Sequence, residues 1–157
     1  MDKTEFAVRT EAIRQRLYRT AHLYLGSEAD ALEAVDEAVY QALRSLKKLR
    51  EPEYFETWLT RILMTECHKE LRRRKRFWGE EPLPDTAGPD AYDVLPLKEA
   101  IHCLPEGLRA VLILRFFAGY TQAETAAALD IPQGTVATRQ RRARELLRLE
   151  LGEEGNT

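Results

Sequence analysis

Residues 121–144 read TQAETAAALDIPQGTVATRQRRAR and predict two helices joined by a tight turn. Thr121 and Glu124 have the spacing of a capping box, in which each side chain accepts a hydrogen bond from the backbone amide of the other residue, so a helix is expected over residues 122–129. The turn at residues 130–132 contains Asp and Pro and leads into a second helix. This order is typical of a helix-turn-helix motif, whose second helix enters the major groove of DNA.

The second of these helices, expected to end near Leu151, has an apolar stripe and a polar face. A rotation of about 100° per residue places Val136, Ala143 and Leu147 on the stripe and turns several arginines outward. Arginine forms bidentate hydrogen bonds with guanine edges and phosphates, and the amides at a helix start bind phosphate. On charge alone, an ordinary solvated face is an equal alternative. The residues predicted to contact DNA are Tyr120, Thr121, Gln133, Thr135, Thr138, Arg139, Arg141 and Arg142.

A segment without helical periodicity precedes this half of the chain. Residues 79–90 read GEEPLPDTAGPD and are rich in Pro, Gly and acidic residues, which predicts a linker between two domains. We expect the acidic linker to keep the two domains apart. Beyond the linker, Leu97 and Ile101 begin a short helix, and Pro105 suits the first turn of the next one. The predicted domains and linker cover residues 1–78, 95–157 and 79–94.

Three amphipathic helices are expected before the linker. Apolar residues recur at helical spacing from Phe6 to Leu25, and a second helix begins after Ser27, a favourable N-cap, and continues to Pro52. A third runs over residues 54–76. The apolar stripe of the second helix consists of Leu32, Val35, Val39, Leu43 and Leu46. The chain is therefore predicted to be all-α, with two small helical domains joined by a flexible linker, the second domain carrying the helix-turn-helix.

Charge is segregated along the chain, although the formal net charge is only -2 and the pI is near 6.0. One basic block lies at residues 69–76 and another at residues 139–148, which predicts two basic binding sites. Because no apolar run is long enough to span a membrane and the first residues lack a signal sequence, we expect a cytoplasmic protein without membrane insertion. Cys67 and Cys103 are expected to be reduced packing residues.

Several segments, taken in chain order, match the pattern of one family. Residues 134–144 read GTVATRQRRAR and follow related segments within residues 104–126. Residues 30–38 read DALEAVDEA, and residues 55–63 read FETWLTRIL and lead into the basic sequence of residues 71–76. In this order they resemble regions two and four of the extracytoplasmic-function (ECF) sigma factors of the sigma-70 family. The similarity covers nearly the whole chain.

The resemblance implies a factor that binds core RNA polymerase and promoter DNA and helps to open the promoter, with no enzymatic activity and no cofactor. Region four would bind the upstream promoter element. An anti-sigma factor is a further partner that members of the family often have. The free factor is expected to hide its basic surfaces, either by contact between domains or by binding this partner. The residues implied to contact polymerase, with an ordinary solvated face as the alternative, are Glu33, Asp36, Glu37, Tyr40 and Gln41.

Region two of the family captures unpaired bases of the downstream promoter element. Aromatic stacking together with a basic track is what single-stranded DNA binding requires. Trp58 also falls on the apolar stripe of the third helix, so core packing is the alternative for this residue. The residues implied for this element are Lys47, Lys48, Trp58, Arg61, Lys69, Arg72, Arg73, Arg74, Lys75 and Arg76.

The sequence departs from the family pattern at a few positions. Ala137 stands where the family usually has Lys or Arg, which removes one DNA contact. Gln140 replaces an apolar residue on the buried stripe, where its amide needs a hydrogen-bond partner. Thr65, Lys69 and Asp36 replace an Asn, an Asp and a Gln. These differences affect promoter preference and individual contacts rather than the class.

Two other classes of protein fit parts of the sequence. Cys67-His68 and His102-Cys103 would supply four ligands for a zinc enzyme, but zinc sites usually pair ligands a few residues apart, whereas adjacent helical residues diverge by about 100°. A DNA-binding regulator whose N-terminal helices bind another protein is the second alternative. The basic third helix beside Trp58 favours the sigma factor, since a plain regulator needs no module for capturing single strands.

Overall fold

The computed structural model describes residues 1–78 and 91–155, and its described secondary structure is helical throughout. The N-terminal helices are α1 (Lys3–Leu25), α2 (Glu28–Arg44) and α3 (Phe55–Trp78). The C-terminal helices are α4 (Ala91–His102), α5 (Glu106–Leu112), α6 (Gln122–Leu129) and α7 (Gln133–Gly155). Two 3-10 turns, Leu46–Lys48 and Pro52–Tyr54, connect α2 to α3, and a π-helical turn, Ile113–Phe117, follows α5. The all-α prediction is confirmed.

Side-chain caps and a left-handed glycine define several helix ends. Gly26 has φ 74° and ends α1, because glycine adopts this conformation without steric cost. The Ser27 hydroxyl accepts a hydrogen bond from the Asp30 amide at 3.3 Å, which confirms the predicted N-cap of α2. At α6, the Glu124 amide donates to Thr121 Oγ1 at 3.0 Å and the Thr121 amide donates to Glu124 Oε1 at 2.9 Å. Both bonds of the predicted capping box are present.

Helix α2 differs from its prediction in both length and orientation. It ends at Arg44 rather than near Pro52, since the chain tightens into a 3-10 turn that packs Leu46 against the core. Leu32 and Leu43 are 52% and 39% exposed, so the predicted apolar stripe is wrong at these two positions, whereas Val35 is buried and Val39 and Leu46 pack against the core. The buried side is formed by small residues: Ala31, Ala34, Val35, Ala38 and Ala42. These small side chains allow α1 and α3 to approach α2 closely, and both helices contact it.

Buried apolar side chains from both halves form one continuous cluster, which includes Leu59 and Leu63 of α3 and Ile113 and Leu114 of the π turn. Helix α3 contacts α6, and α1 contacts both α4 and the π turn. The expectation that the linker keeps the two domains apart is therefore wrong for this structure. Residues 79–90 lie outside the described residues, and α4 begins inside the segment predicted as linker.

Candidate nucleic-acid and protein interfaces

Helix α7 presents a polar face to solvent because its opposite face is fixed in the core. Val136 and Ala143 are fully buried, as the predicted stripe requires. Arg142 forms an ion pair with Glu145 at 3.3 Å, and both side chains are more than half exposed, so the pair is weak and readily replaced by another partner. The predicted DNA-contacting side chains that are exposed on α7 are Gln133, Thr138, Arg141 and Arg142.

Two other predicted DNA contacts on α7 lie closer to the protein. Thr135 and Arg139 are half-buried. The guanidinium of Arg139 lies beside Gly107 of α5, where an added Cβ would be 3.2 Å from Arg139 Nη1. The absence of a side chain at Gly107 therefore makes room for this arginine, which lies along α5.

The start of α6 differs from its predicted role in phosphate binding. Tyr120 is 5% exposed, and its hydroxyl forms a 2.6 Å hydrogen bond with Thr60 Oγ1 of α3. Burial raises the pKa of Tyr120 to about 12. Thr121 is exposed, but its amide already donates to Glu124. In this structure the Tyr120 side chain is a contact between the two halves, and its amide donates to the Leu114 carbonyl at 2.9 Å, so neither group is free to contact DNA in this conformation.

Gln140, the polar residue on the inner side of α7, has two hydrogen-bond partners. Arg115 Nε donates to Gln140 Oε1 at 2.9 Å, and Gln122 Nε2 lies 3.4 Å from the same oxygen. Arg115 also donates to the Tyr120 carbonyl. The need for a partner at Gln140 was predictable from the sequence, but Arg115 was not, because this residue reaches α7 from the π turn, which the sequence does not predict.

The basic block of α3 contains one arginine that is structural. Arg74 is fully buried, and its guanidinium donates to the Leu25 carbonyl at 2.7 Å, to Asp30 Oδ2 and, at 3.3 Å, to Glu70 Oε1. A buried cation with its donors occupied in this way joins α3 to the α1–α2 corner. The prediction that Arg74 belongs to the DNA track is corrected.

The remaining basic residues of this region lie at the surface. Lys69 Nζ is 3.1 Å from Glu66 Oε2, and Arg73 forms two 2.8 Å hydrogen bonds with Glu70. The hydrogen bonds from Arg73 lower the pKa of the Glu70 carboxyl. The exposed basic residues among those implied for the downstream element also include Lys47, Lys48, Arg72, Lys75 and Arg76. A basic surface therefore remains after Arg74 is removed from the set.

Trp58 and Arg61 lie on the part of α3 that follows the 3-10 turns. Trp58 is half-buried and packs near Phe55, with ring centroids 6.2 Å apart. Part of the Trp58 side chain therefore packs against the core, and part of it is exposed to solvent. Tyr54, directly before α3, is 60% exposed. Arg61 is exposed and forms a 3.0 Å ion pair with Asp130, which has φ 57° in the turn between α6 and α7. Arg61 therefore contacts the second half of the chain.

The outer face of α2 combines acidic and apolar side chains. Tyr40 is 54% exposed, and Leu32 and Leu43 of the same helix are also exposed. Asp36 forms a 3.4 Å ion pair with Arg14 of α1, and Gln41, half-buried, donates to Glu37 at 2.9 Å. Glu33, Asp36 and Glu37 are exposed. We call this set the α2 outer face: Leu32, Glu33, Asp36, Glu37, Tyr40, Gln41 and Leu43.

Polar contacts between the halves extend along α3 beyond Thr60 and Arg61. His68 Nε2 lies 3.4 Å from Glu106 Oε1 at the start of α5, and burial lowers the pKa of His68. The guanidinium of the buried Arg109 lies 5.1 Å from the ring centroid of Tyr24 in α1. We call the contacts of α3 and α1 with the second half the interdomain contact.

The cysteines differ in their surroundings. Cys67 is fully buried, and this burial raises the pKa of its thiol, whereas Cys103 is exposed. Within the described part of the chain, no group of three or more His, Cys, Asp or Glu side chains is arranged to hold a metal ion. None of the described helices has the length and apolar content of a membrane-spanning helix.

Comparisons with known proteins identify both halves. Residues 10–77 match the model of sigma-70 region 2, and residues 100–149 match the model of sigma-70 region 4. The chain is 33% identical to the RNA polymerase sigma factor SigV of Bacillus subtilis over 145 residues, covering 90% of this chain and 87% of SigV. It is 31% identical to the ECF sigma factor SigE of Mycolicibacterium smegmatis, with 88% of this chain and 59% of SigE covered.

Two solved structures share the fold. The sigma factor RpoE of Bartonella quintana, solved in complex with the anti-sigma factor NepR, superposes with a TM-score of 0.84 at 22% identity, covering 94% of this chain and 97% of that one. CnrH, solved in complex with the cytosolic domain of CnrY, gives a TM-score of 0.76 at 23% identity, covering 97% and 90%. The chain belongs to the sigma-70 family. Within it, this chain is a sigma factor of the ECF type.

Proposed function

We propose that this chain, acting in the cytoplasm, binds core RNA polymerase and directs it to specific promoters. Helix α7 contacts the upstream promoter element, and α3 with the turns before it contacts the downstream element during opening. The factor acts by binding and has no catalytic reaction of its own. The observation that carries the proposal is the exposed face of α7 with Thr138, Arg141 and Arg142, held outward by the burial of Val136 and Ala143.

The α2 outer face suits a protein partner better than DNA. Its acidic side chains repel phosphates, whereas its exposed Leu32, Tyr40 and Leu43 offer apolar contact area of the kind found in protein interfaces. These features support binding to core polymerase. An anti-sigma factor is a further proposed partner, since RpoE, one of the proteins that share the fold, was solved with one.

The proposal is tested by adding the purified factor to sigma-free bacterial core polymerase and mapping transcription starts on DNA of the source genome. We expect discrete start sites and a stable complex with core polymerase. Leu32→Ala/Tyr40→Ala should weaken binding to core polymerase by at least about tenfold, because exposed apolar anchors carry much of an interface. Val8 of α1 is 67% exposed. The control Val8→Ala therefore removes an exposed apolar side chain from another helix and should leave binding unchanged.

Failure to bind core polymerase, with DNA binding retained, would contradict the sigma activity and favour a DNA-binding regulator. Binding without discrete starts would contradict promoter selection. Equal loss in the Val8→Ala control would show that the α2 outer face is not the specific contact.

We also infer that the interdomain contact limits DNA binding by the free factor. Tyr120 and Arg61, implied for different promoter elements, bond Thr60 and Asp130 of the opposite half. Polymerase binding would separate the halves and release both residues. Thr60→Val keeps the side-chain volume but leaves the buried Tyr120 hydroxyl without this partner, a cost of about 1–3 kcal/mol.

The expected result is a larger radius of gyration in small-angle scattering and tighter binding of promoter duplex in the absence of polymerase. Thr4→Val, at an exposed position of α1, is the matched control and should change neither quantity. If the wild-type factor alone binds promoter duplex as tightly as the polymerase complex does, the gating role is wrong.

A further inference from the structure

We infer that Gln140 is a positioning residue for recognition of the upstream promoter element. It fixes α7 against the start of α6 and against the π turn. This inference rests on the proposed function. Gln140 itself need not touch DNA, because its Oε1 is occupied by donors within the protein. We call Gln140, its donors Arg115 and Gln122, and the Tyr120 carbonyl the Gln140 network.

The network joins the elements of the DNA-binding half at one oxygen atom. Arg115 Nε comes from the π turn at 2.9 Å, and Gln122 Nε2 comes from the first residue of α6 at 3.4 Å. Another nitrogen of Arg115 donates to the Tyr120 carbonyl, directly before the cap of α6. Arg115 therefore joins α7 to the entry of α6, which is the pair of helices that a helix-turn-helix must hold at a fixed angle.

Hydrogen bonds from a charged donor restrict geometry more than apolar contact does. Arg115 and Gln140 are both half-buried, where such a bond is stronger than in bulk water and depends on direction. An apolar side chain at position 140 would fill the same space but would allow α7 to slide or rotate. Arg141 and Arg142 follow Gln140 directly, so a rotation at this point moves both guanidinium groups relative to the bases.

A second contact between the π turn and α7 lies beside the network. The ring of Phe116 lies near two guanidinium groups, with centroid distances of 5.5 Å to Arg115 and 5.1 Å to Arg144. Cation–π contacts of this kind add attraction without fixing a direction as strictly as a hydrogen bond does. The hydrogen bonds of the Gln140 network thus fix the orientation of α7, and the Phe116 contact adds attraction between α7 and the π turn.

The test uses the factor assembled with core polymerase on a promoter identified from its discrete start sites. Two templates are compared, one intact and one with the upstream element scrambled, and the ratio of their transcripts measures upstream recognition. Gln140→Met has similar length but cannot accept the bond, and it should lower the ratio by about tenfold. Gln140→Glu retains acceptor oxygens and should remain within about twofold of the wild type. The melting temperature of each free variant is measured in parallel.

Arg115→Lys provides an independent disruption of the same network, because one ammonium group cannot serve both acceptors in the geometry of a guanidinium. It should also lower the ratio by about tenfold, and Gln140→Met/Arg115→Lys should lose no more than the worse single variant, as expected for residues that act together. If Gln140→Met fails to fold, Arg115→Lys decides: a lowered ratio at unchanged melting temperature supports the inference, and a wild-type ratio overturns it.

A wild-type ratio in a folded Gln140→Met variant overturns the inference alone. Equal losses in Gln140→Met and Gln140→Glu at unchanged melting temperature also overturn it, since the acceptor would then be irrelevant. Absence of discrete starts with the wild-type factor would instead overturn the proposed function, and this inference with it.

Discussion

Helices α3 and α7 both carry dense runs of arginine, yet they use arginine differently. In α3, Arg74 is fully buried and bonds the Leu25 carbonyl, Asp30 and Glu70. In α7, Arg141 and Arg142 are exposed on the face opposite the core. One arginine stabilises the fold of its own half, whereas the other two remain available to a partner.

The difference shows that a basic block does not have one role throughout. Arg74 lies where three acceptors converge at the corner between α1 and α2, so its charge is compensated inside the protein. Its neighbours Arg72 and Lys75 lie on exposed faces of the same helix. Burial and acceptor geometry, rather than arginine content, therefore separate structural arginines from those that are available to a partner.

The largest effect that tests this comparison is expected for Arg74→Ala. Removal of the guanidinium leaves Asp30 and the Leu25 carbonyl without their buried partner, and the free energy of unfolding should fall by about 3–5 kcal/mol. Chemical denaturation of the free factor measures this change. Arg72→Ala, an exposed neighbour on α3, should change stability by less than about 0.5 kcal/mol. Equal effects of the two substitutions would contradict the distinction.

A smaller effect is expected for Thr121→Ala, which removes the capping box of α6. Loss of this N-cap should lower the free energy of unfolding by about 1 kcal/mol, because the Glu124 amide loses its acceptor. Thermal or denaturant unfolding gives the value. Thr138→Ala is the matched control, since Thr138 lies within α7 and alanine favours the helix more strongly than threonine. A stabilised Thr121→Ala variant would show that the cap has no energetic role.

The smallest effect concerns the pH dependence of the α3 ion pairs. Because the folded-state pKa of Glu70 is lowered, chiefly by its hydrogen bonds from Arg73, its stabilisation is present above the ordinary carboxyl pKa and is lost as the pH falls through the lowered value. Glu70→Gln should therefore lose less stability than the wild type on acidification, by about 0.5 kcal/mol after solvent screening. Denaturation midpoints at neutral and acidic pH measure this. Parallel curves for the two proteins would contradict the assignment.

Local signals made much of the fold predictable from sequence. Ser27, Thr121 and Glu124 act within one turn of their own helices, so their caps follow from spacing alone. The stripe of α7 was predictable for the same reason, because Val136 and Ala143 are separated by nearly two helical turns.

The features that could not be predicted from the sequence depend on contacts between elements that are far apart in the chain. Arg74 meets Asp30 from 44 residues away, and Gln140 meets Arg115 from 25 residues away. The burial of the α2 alanines was not predicted, because leucine is more hydrophobic than alanine and its spacing suggested the buried side. Close packing of the helices favours small residues here. The position of Tyr120 just before α6 predicts an exposed residue. Its burial depends on the packing of the second half on α3, where its hydroxyl bonds Thr60.

The most direct test of the central claim, that the exposed face of α7 reads the upstream element, is transcription with Arg141→Ala/Arg142→Ala. On intact and upstream-scrambled templates, we expect at least about a tenfold loss of the transcript ratio, because guanidinium contacts to bases and phosphates are lost, with an unchanged melting temperature. Lys3→Ala/Arg19→Ala removes two exposed positive charges from α1 and should keep the wild-type ratio. A wild-type ratio in the α7 variant would show that this face does not read the upstream element.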